Sequence, residues 1–316
     1  MSTTATAHTN IALIKYWGKK DPILNLPTTS SISLTLEQFY TQTTVTPNTH
    51  SDQLILNNLS VDTTRTHHFL NILREQLGHF SPLTVTSTNH VPTSAGLASS
   101  ASAFAALTGA VTRELGLIRS NESLSRLARR GSGSASRSLY GHFAVWHEGV
   151  DDISSFAESL HAPDMPIALV VAEVSSDVKK VSSSEGMRRA MTSPNYGDWL
   201  NQSKNQFVDM QAAVMAKDIE KIGSIAEDNA LSMHALNLTA RQQAFTYFTS
   251  ETQQILNIIQ DIRHQGLLAF ATIDAGPNVK IITTLTTAPH VVAALHDKLP
   301  QLHIETATSG SGITYD

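Results

Sequence analysis

The sequence predicts an α+β protein of two domains. Segments rich in β-branched residues dominate the first part of the chain, whereas amphipathic helices follow one another from Glu185 onward. Strands that precede helices in this way are typical of α+β proteins, and 316 residues exceed the usual size of one domain. We place the boundary near residue 180, between domains 1–180 and 181–316.

The N-terminal part is predicted to form most of the strands. β-Branched residues and partial alternation predict strands over 11–17, 31–47, 53–61 and 81–91. Apolar residues at helical spacing predict helices over 65–77, 97–115 and 121–131, the last with Asn121 as its N-cap. Two more strands are expected over 142–149 and 165–174. The second is almost continuously apolar, which indicates burial on both faces.

The C-terminal part is predicted to be mainly helical. Helices are expected over 184–193, 199–218, 219–236 and 250–266. Strands over 267–277 and 278–285 follow, with a helix over 290–299 after them. Four methionines are expected in the helix core: Met187, Met191, Met210 and Met215. The fourteen histidines do not suggest a helical zinc site, and mid-helix His234 is expected to be packed or hydrogen-bonded.

Composition and charge restrict the functions that the chain can have. A net charge of −5 argues against nucleic acid held by bulk charge, so a polyanionic ligand needs local basic groups and backbone N–H groups. The absence of cysteine excludes disulfides, thiolate zinc sites and cysteine nucleophiles, and it is compatible with a cytoplasmic location. No apolar run approaches the roughly 18 residues of a membrane span. We also expect no signal peptide, since the first ten residues have neither a basic nor an apolar region.

Small and hydroxyl-bearing residues are concentrated at VPTSAGLASSASAF, where a helix is predicted to begin. The first turn of a helix has unpaired N–H groups and the positive end of the helix dipole, so it can bind anions. A phosphate can approach only small side chains, which this stretch provides: Ser94, Gly96, Ala98, Ser99 and Ser100. The alternative is a close-packed helix start with serine caps. The stretch is not a Walker A loop, because no Gly-Lys-Ser/Thr follows.

Three further stretches combine charged groups with small or aromatic residues. In NIALIKYWGKKD, at 10–21, three lysines beside two aromatic residues could trap an anion or could be a solvated strand end. In RRGSGSASRSLYGHFAVW, at 129–146, Arg137 could bind a carboxylate or phosphate with its planar fork, or could be a surface residue of a turn. In TIDAGPNVK, at 272–280, Asp274 could act in catalysis or could only form the turn.

Together these stretches resemble the diphosphomevalonate decarboxylase family. The order P-x-x-x-G-L-A-S-S-A resembles the phosphate-binding loop of the GHMP kinase superfamily, whose members usually carry glycine where Ala98 stands. NIALIKYWGK and DAGPNVK resemble the decarboxylases in particular, because GHMP kinases proper usually have a glycine-rich turn in place of the second. The resemblance covers most of the chain. It implies a two-domain GHMP kinase-like fold, with an N-terminal domain like ribosomal protein S5 domain 2 and a ferredoxin-like helical–sheet C-terminal domain.

The family reaction converts (R)-5-diphosphomevalonate and ATP to isopentenyl diphosphate, ADP, phosphate and CO2, with Mg²⁺ between the ATP phosphates. The resemblance implies that Asp274 faces C3 of the substrate and that Lys15 keeps this carboxylate ionised. The residues implied in catalysis are Asp274, Lys15, Arg137 and Asn10. Those implied in substrate binding are Tyr16, Lys19, Ser132, Ser134, Arg137 and Ser183. Those implied in ATP binding are Ser94, Gly96, Leu97, Ala98, Ser99 and Ser100, with Ser99 and Ser100 also implied at Mg²⁺.

One position departs from the resemblance. Some bacterial relatives carry arginine where Ser184 stands, and it reaches the substrate diphosphate, so its absence puts this contact in doubt and suggests weaker affinity. A mevalonate 3-kinase or phosphomevalonate decarboxylase on the same scaffold is the nearest alternative, and a catalytically silent binding protein is another. The resemblance also implies a homodimer in the cytoplasm, acting in the mevalonate pathway, with no nucleic-acid or membrane partner.

Overall fold

The computed structural model describes residues 3–91, 99–162, 164–175 and 180–316, which form fourteen strands, eight α-helices and one 3-10 helix. The strands are β1 Thr3–Ile14, β2 Lys19–Asp21, β3 Leu26–Pro27, β4 Ser31–Pro47, β5 Gln53–Leu56, β6 Leu59–Ser60, β7 Leu83–His90, β8 Phe143–Trp146, β9 Ala157–Ser159, β10 Ile167–Glu173, β11 Phe270–Ile273, β12 Val279–Thr284, β13 His303–Thr308 and β14 Thr314–Tyr315. The α-helices are α1 Thr64–Leu77, α2 Ser99–Glu114, α3 Asn121–Gly131, α4 Ser183–Ala190, α5 Tyr196–Met215, α6 Ile219–Leu238, α7 Ser250–His264 and α8 Ala288–Lys298. The 3-10 helix is Gly133–Leu139.

The first sheet is built around β4, whose seventeen residues are rich in threonine and in other residues that suit a pleated strand. Strand β1 pairs along one edge of β4, while β8 and then β7 share the other edge. Strands β5, β6, β9 and β14 extend this sheet at its edges, whereas β2 and β3 form a separate two-stranded sheet. Helices α1, α2 and α3 cover one face, where Phe69, Leu107 and Leu127 are buried in a common apolar core.

The pairing of strand β1 with β4 is irregular at two positions in the second half of β1. Its register with β4 shifts between His8 and Asn10, and again between Ala12 and Ile14. Because a bulge changes the direction of the side chains around it, these shifts affect how Asn10 and the residues after Ile14 are presented.

The second sheet is antiparallel, in the order β11-β12-β10-β13. Helices α7 and α8 pack on one of its faces, with Ile259 and Val291 buried there. Leu169 of β10 and Ile282 of β12 lie in a second core that also contains Leu34 of β4 and Ile222 of α6, so both sheets share it. The expected burial of β10 on both faces is confirmed, since its first six residues are all buried.

Strand β10 lies before residue 180 and pairs with β12 and β13, whereas β14 returns to pair with β1. The chain therefore enters the second sheet before residue 180 and ends in the first. The division into 1–180 and 181–316 remains a prediction.

Several local expectations change in the structure. Helix α3 is capped by Ser120, whose hydroxyl accepts from the backbone N–H of Ser123, and not by Asn121. The side chain of Asn121 instead donates to the carbonyl oxygen of Leu139. Strand β1 begins well before residue 11, because its upstream half pairs with β4, and the short strands β13 and β14 were not predicted.

Two of the four methionines are not core residues. Met187 and Met210 are buried as expected, whereas Met191 and Met215 are 38% and 53% exposed. Met191 follows the last residue of α4, and Met215 is the last residue of α5. At a helix end the apolar periodicity no longer guarantees that a neighbouring element covers the side chain.

Among the helices of the described residues, none combines the length and the apolar character that crossing a membrane requires.

Candidate active site

A cavity of about 660 Å³ lies where the end of β1, the 3-10 helix, the start of α4 and the end of β11 meet. Its walls come from both sheets and their helices. The described residues that line it are Asn10, Ala12, Lys15, Tyr16, Trp17, Lys19, Asn25, Arg65, Ser100, Gly131, Ser132, Gly133, Ser134, Arg137, Ser182, Ser183, Ser184, Met187, Met233, Asp274 and Ala275.

Asp274 and Lys15 form an ion pair in the wall of this cavity. Lys15 follows the last residue of β1, and its Nζ lies 2.7 Å from Oδ1 of Asp274, which follows the last residue of β11. The lysine side chain is 2% exposed and the aspartate 24%, so the carboxylate is the more accessible of the two groups, although both residues line the cavity. Burial lowers the pKa of Lys15, and the charge of Asp274 opposes this shift. Asp274 also forms the expected turn, since its carbonyl oxygen accepts from Gly276 N–H.

The backbone at Lys15 is held by a helix of the other half of the chain. Its N–H donates to Oδ1 of Asn229 in α6 at 2.8 Å. The amide of Asn229 in turn donates to Gln206 and Ser203 of α5, at 2.8 and 3.3 Å. Because Asn229 is fully buried, these bonds fix its orientation, and Asn229 fixes the point where β1 ends.

Arg137 and Asn10 form a second buried group on the same wall. Nε of Arg137 donates to Oδ1 of Asn10 at 3.2 Å, and Nη1 donates to the hydroxyl of Ser31 at 2.5 Å. The amide nitrogen of Asn10 donates to the Ser138 hydroxyl at 2.8 Å and to the carbonyl oxygen of Ser134 at 3.0 Å. Arg137 is 2% exposed, and burial lowers its pKa to about 10, so it stays charged at neutral pH. It is therefore not a surface residue.

Tyr16 presents a buried hydroxyl near the same wall. Its ring packs edge-on against Trp146, with ring centroids 4.7 Å apart. Its hydroxyl oxygen is buried and has no hydrogen-bond partner among the described residues, and burial raises the pKa of the phenol. A Cβ on Gly133 would lie 2.7 Å from the Tyr16 ring, so only glycine allows the 3-10 helix to start this close.

Two cations lie at another part of the wall, Lys19 from β2 and Arg65 from α1. Burial lowers the pKa of both side chains, and the charge of Arg65 lowers that of Lys19 further. The Arg65 guanidinium donates to the carbonyl oxygen of Gly131 at 3.3 Å and lies over the Phe104 ring. Two like charges at one wall are favoured when an anion lies between them.

Serine hydroxyls connect the start of α2 to the 3-10 helix. The hydroxyls of Ser100 and Ser132 are 3.2 Å apart, and those of Ser132 and Ser134 are 3.3 Å apart. Ser99 begins α2 but is not among the residues that line the cavity. Four predicted ATP-binding residues lie outside the described residues: Ser94, Gly96, Leu97 and Ala98.

Helix α4 begins at the cavity with three consecutive serines. The hydroxyl of Ser182 caps the helix by accepting from Glu185 N–H at 3.2 Å. Ser183 and Ser184 line the cavity beside it. Glu185 is bound by two arginines of the same helix, Arg188 and Arg189, which lowers the pKa of its carboxyl. These arginines are thereby engaged by Glu185, and neither of them lines the cavity.

His234 is packed as expected, on α6 behind the strand that leads to Asp274. Its Nε2 lies 3.3 Å from the carbonyl oxygen of Ile273, and its ring packs against the rings of Tyr247 and Phe248. Burial lowers the pKa of His234 to about 4, so the ring is neutral at pH 7 and donates from Nε2 to that carbonyl.

The structure adds three residues that the sequence analysis did not single out: Arg65, Asn229 and Lys280. Lys280 of β12 is 1% exposed, and its Nζ lies 3.6 Å from Oδ2 of Asp274. Alternation along the predicted strand 278–285 could have placed Lys280 on the Asp274 face. Arg65 and Asn229 have no comparable local signal, because each depends on how a helix packs.

Charge is unevenly distributed around the cavity. Among the described residues that line it, four are lysine or arginine and one is an aspartate. The four are Lys15, Lys19, Arg65 and Arg137, and the carboxylate is Asp274. Such a site suits a ligand with several negative charges and places one fixed negative charge beside it. This geometry is suited to phosphoryl transfer to an anionic substrate whose reacting carbon faces Asp274.

Comparisons with known proteins agree along the whole chain. A family model described as diphosphomevalonate decarboxylase-like N-terminal domain matches residues 7–157, and one described as mevalonate 5-diphosphate decarboxylase C-terminal domain matches residues 169–313. The diphosphomevalonate decarboxylase of Candida albicans is 36% identical over 320 residues, which cover 93% of this chain and 88% of that protein.

Solved structures are also similar. The crystal structure of mevalonate diphosphate decarboxylase from Staphylococcus aureus is 40% identical, with a TM-score of 0.95 over 100% of this chain and 98% of that one. A structure of MDDEF in complex with MVAPP, AMPPCP and magnesium is 40% identical, with a TM-score of 0.94 over 100% of this chain and 99% of that one.

Proposed function

The chain belongs to the diphosphomevalonate decarboxylase family, and we infer that it converts (R)-5-diphosphomevalonate and ATP to isopentenyl diphosphate, ADP, phosphate and CO2 in the mevalonate pathway. It is an ATP-dependent carbon–carbon lyase, with ATP as co-substrate and Mg²⁺ as the metal ion. The two-domain GHMP kinase-like fold predicted from the sequence is confirmed by the likeness to solved structures of this family.

The observation that carries this function is the carboxylate of Asp274 in a cavity whose other charged side chains, among the described residues, are all cations. The substrate carries a carboxylate and a diphosphate, and ATP adds a triphosphate, so both reactants are polyanions. Four cationic side chains can bind these groups, while Asp274 can face the one carbon that becomes positive.

We call Asp274, Lys15, Arg137 and Asn10 the reacting end of the cavity. Asp274 orients the C3 hydroxyl, whose oxygen takes the terminal phosphoryl group of ATP as ADP leaves. The proton of this hydroxyl passes to an oxygen of the transferred phosphoryl group, so Asp274 stays ionised. Phosphate then leaves with the electron pair of the C3–O bond, and the electrons of the bond to the carboxylate form the double bond as CO2 departs. The negative charge of Asp274 favours the positive charge that develops at C3.

Arg137 is assigned to the substrate carboxylate. Two of its nitrogens are already bound to Asn10 and Ser31, which fixes the plane of the guanidinium and leaves its remaining N–H groups for a ligand. Asn10 is held by Ser134 and Ser138, so it keeps Arg137 in place and lies next to the same carboxylate.

We call Tyr16, Lys19, Arg65, Ser132 and Ser134 the phosphate end. The buried Tyr16 hydroxyl, two cations and two serine hydroxyls are donors suited to the substrate diphosphate. Ser183, near the N-terminus of α4, adds a further hydroxyl. No arginine stands at Ser184, and Arg65 supplies a guanidinium at this wall instead.

The residues at the start of α2 suit ATP and Mg²⁺. Hydroxyl oxygens are ligands that Mg²⁺ accepts beside phosphate oxygens, and Ser100 brings one to the cavity next to Ser132. Ser99 precedes it at the helix start, where backbone N–H groups favour phosphate. When bound, Mg²⁺ neutralises the charge of the phosphate oxygens during phosphoryl transfer.

Substrate-dependent turnover tests this function. We expect ATP-dependent release of CO2 and phosphate in equal amounts from (R)-5-diphosphomevalonate, and much slower release from mevalonate and its 5-phosphate. Equal turnover of mevalonate would favour a 3-kinase, and preference for the 5-phosphate would favour a phosphomevalonate decarboxylase. Binding of all three without turnover would identify a silent relative.

Three further properties stay predictions: the oligomeric state, the location in the cell and the division of the chain. We propose a homodimer in the cytoplasm, and a division of the chain into units 1–180 and 181–316. Sedimentation velocity of the purified protein tests the dimer, and separate expression of the two units tests the division.

A further inference from the structure

Asp274 lies between two buried lysines, one at each carboxylate oxygen. Nζ of Lys15 is 2.7 Å from Oδ1, and Nζ of Lys280 is 3.6 Å from Oδ2. Lys280 is 1% exposed and is not among the residues that line the cavity, so it reaches the substrate only through Asp274.

The sheet explains how Lys280 comes to this position. Strands β11 and β12 pair antiparallel, with Thr272 opposite Lys280. Asp274 follows Thr272 by two residues and therefore points to the same face, which makes it a diagonal neighbour of Lys280. The turn between the two strands thus brings the carboxylate of Asp274 close to the ammonium of Lys280, although five residues separate them in the sequence.

A buried ammonium group destabilises the folded protein unless nearby groups compensate for its removal from water. Burial lowers the pKa of Lys280, and the charges of Asp274 and then Glu173 oppose this shift. Glu173 ends β10, which pairs with β12. A purely structural explanation would make Lys280 the partner of Glu173 in the sheet. The position of Nζ near Oδ2 of Asp274 favours a role in the reaction.

The reaction makes two demands on Asp274 that Lys15 alone meets poorly. The carboxylate must remain ionised when positive charge develops at C3, and it must not rotate toward a phosphate-bound cation. Lys15 itself lies at the cavity wall, where the incoming phosphates attract its ammonium. Lys280 is 1% exposed and does not line the cavity, so it contacts the carboxylate from the protein interior.

We propose that Lys280 is a positioning residue that holds Oδ2 of Asp274 and keeps this carboxylate ionised in the loaded site. This inference rests on the proposed function and deepens it. Among the described residues, the titratable and charged groups that face Asp274 are Lys15 after β1, Lys280 of β12, Arg137 of the 3-10 helix and His234 of α6. Because the pKa of His234 is about 4, this ring is neutral at pH 7, and the other three groups are cations.

The test replaces Lys280 by methionine, which has similar length and no charge, and follows kcat for CO2 release against pH. Loss of one nearby cation favours protonation of Asp274, so activity disappears at a higher pH as the solution is acidified. We expect kcat at pH 7 to fall about 10-fold and the acid limb of kcat to move up by about 1 pH unit. KM for ATP and for diphosphomevalonate should stay within about twofold.

Two further variants separate charge from packing. Lys280→Arg keeps the charge and should retain the acid limb of the parent protein. Ile282→Met places the same side chain two residues along β12, on the same face and equally buried, and should leave that limb unchanged. If Lys280→Met does not fold, Lys280→Gln carries the same expectation, and thermal midpoints are measured for every variant at every pH.

The outcomes are distinct for the two claims. An inactive wild-type protein would overturn the proposed function itself. An active wild type together with a folded Lys280→Met whose kcat profile is unchanged in pH would overturn only the role of Lys280. A lower thermal midpoint with an unmoved acid limb, or the same limb shift in Ile282→Met, would mean that Lys280 is structural.

Discussion

The two ends of the cavity differ in how far the protein itself completes them. At the reacting end, Asn10, Lys15 and Arg137 each have protein partners, from Asn229 behind Lys15 to Ser31 beside Arg137. At the phosphate end, the buried hydroxyl of Tyr16 has no partner among the described residues, and the serine hydroxyls contact mainly one another.

This difference matches what each end has to do. Chemistry requires a carboxylate and a guanidinium whose positions do not change when charge develops, so their bonds are made in advance. Capture of a diphosphate requires donors that become satisfied only when the ligand arrives. Variants at the reacting end should therefore lower kcat, whereas variants at the phosphate end should raise KM.

The largest effect is expected for Asp274→Asn. The amide keeps the volume and still accepts from Lys15, but it is neither basic nor negative at C3. We expect kcat to fall by at least ~10³, about 4 kcal/mol in the barrier, with ATP and substrate binding little changed. Thermal midpoint, ligand binding and CO2 release are measured on the same preparation. Turnover within tenfold of wild type in a stable variant would leave Asp274 as a turn residue only.

The next effect concerns the free energy of unfolding of the protein in acid, through His234 of α6. His234 has a pKa of about 4 in the folded protein, against about 6.5 when exposed, because burial disfavours its charged form. The unfolded chain therefore binds a proton first. Full stability is present above pH 6.5 and is lost as the pH falls toward 4, by on the order of 3 kcal/mol.

The corresponding measurement is the free energy of unfolding in urea at several pH values, for wild type and His234→Gln. Glutamine can still donate to the carbonyl oxygen of Ile273 but does not titrate. The difference between the two proteins should shrink or reverse between pH 6.5 and 4. A constant difference across this interval would show that His234 titrates normally in the folded state.

A smaller loss of activity is expected for Arg137→Lys. Lysine keeps the charge, but a single ammonium cannot replace the bonds from Nε to Asn10 and from Nη1 to Ser31 while also binding a carboxylate. We expect kcat/KM for diphosphomevalonate to fall about 10²-fold, roughly 2.7 kcal/mol. Steady-state kinetics at saturating ATP measure this, and a near-parental value would remove Arg137 from the mechanism.

The smallest effect tests the phosphate end with Lys19→Met. We propose that Lys19 binds the diphosphate equally in ground and transition states. Its loss should then raise KM for diphosphomevalonate about 10-fold and leave kcat within about twofold. Lys20→Met is the matched control, because Lys20 is exposed and bonds the carbonyl oxygen of Gly149 instead. A fall in kcat without a change in KM for Lys19→Met would remove the contrast between the two ends.

Local patterns predicted most of the elements, because helix and strand periodicity depends on residues close in sequence. The predicted helix 65–77 and strand 31–47 correspond closely to α1 and β4. Exceptions arose where contacts with residues distant in the sequence decided the secondary structure. The pairing of β1 with β4 extends β1 upstream of residue 11. A 3-10 helix contains Arg137, where a turn was one of two interpretations of the sequence.

By itself the sequence determined the family, and it predicted Asp274, Lys15, Arg137 and Asn10 as site residues, because these residues stand in motifs that are continuous along the chain. Only the tertiary structure decided that Lys280 lies behind Asp274, that Asn229 holds the end of β1 and that Arg65 faces the cavity. The physical reason is that each of these contacts joins residues through strand register or helix packing. Both depend on the whole buried core. Strand alternation could have placed Lys280 on the Asp274 face, but no local pattern of residues indicates the positions of Asn229 and Arg65.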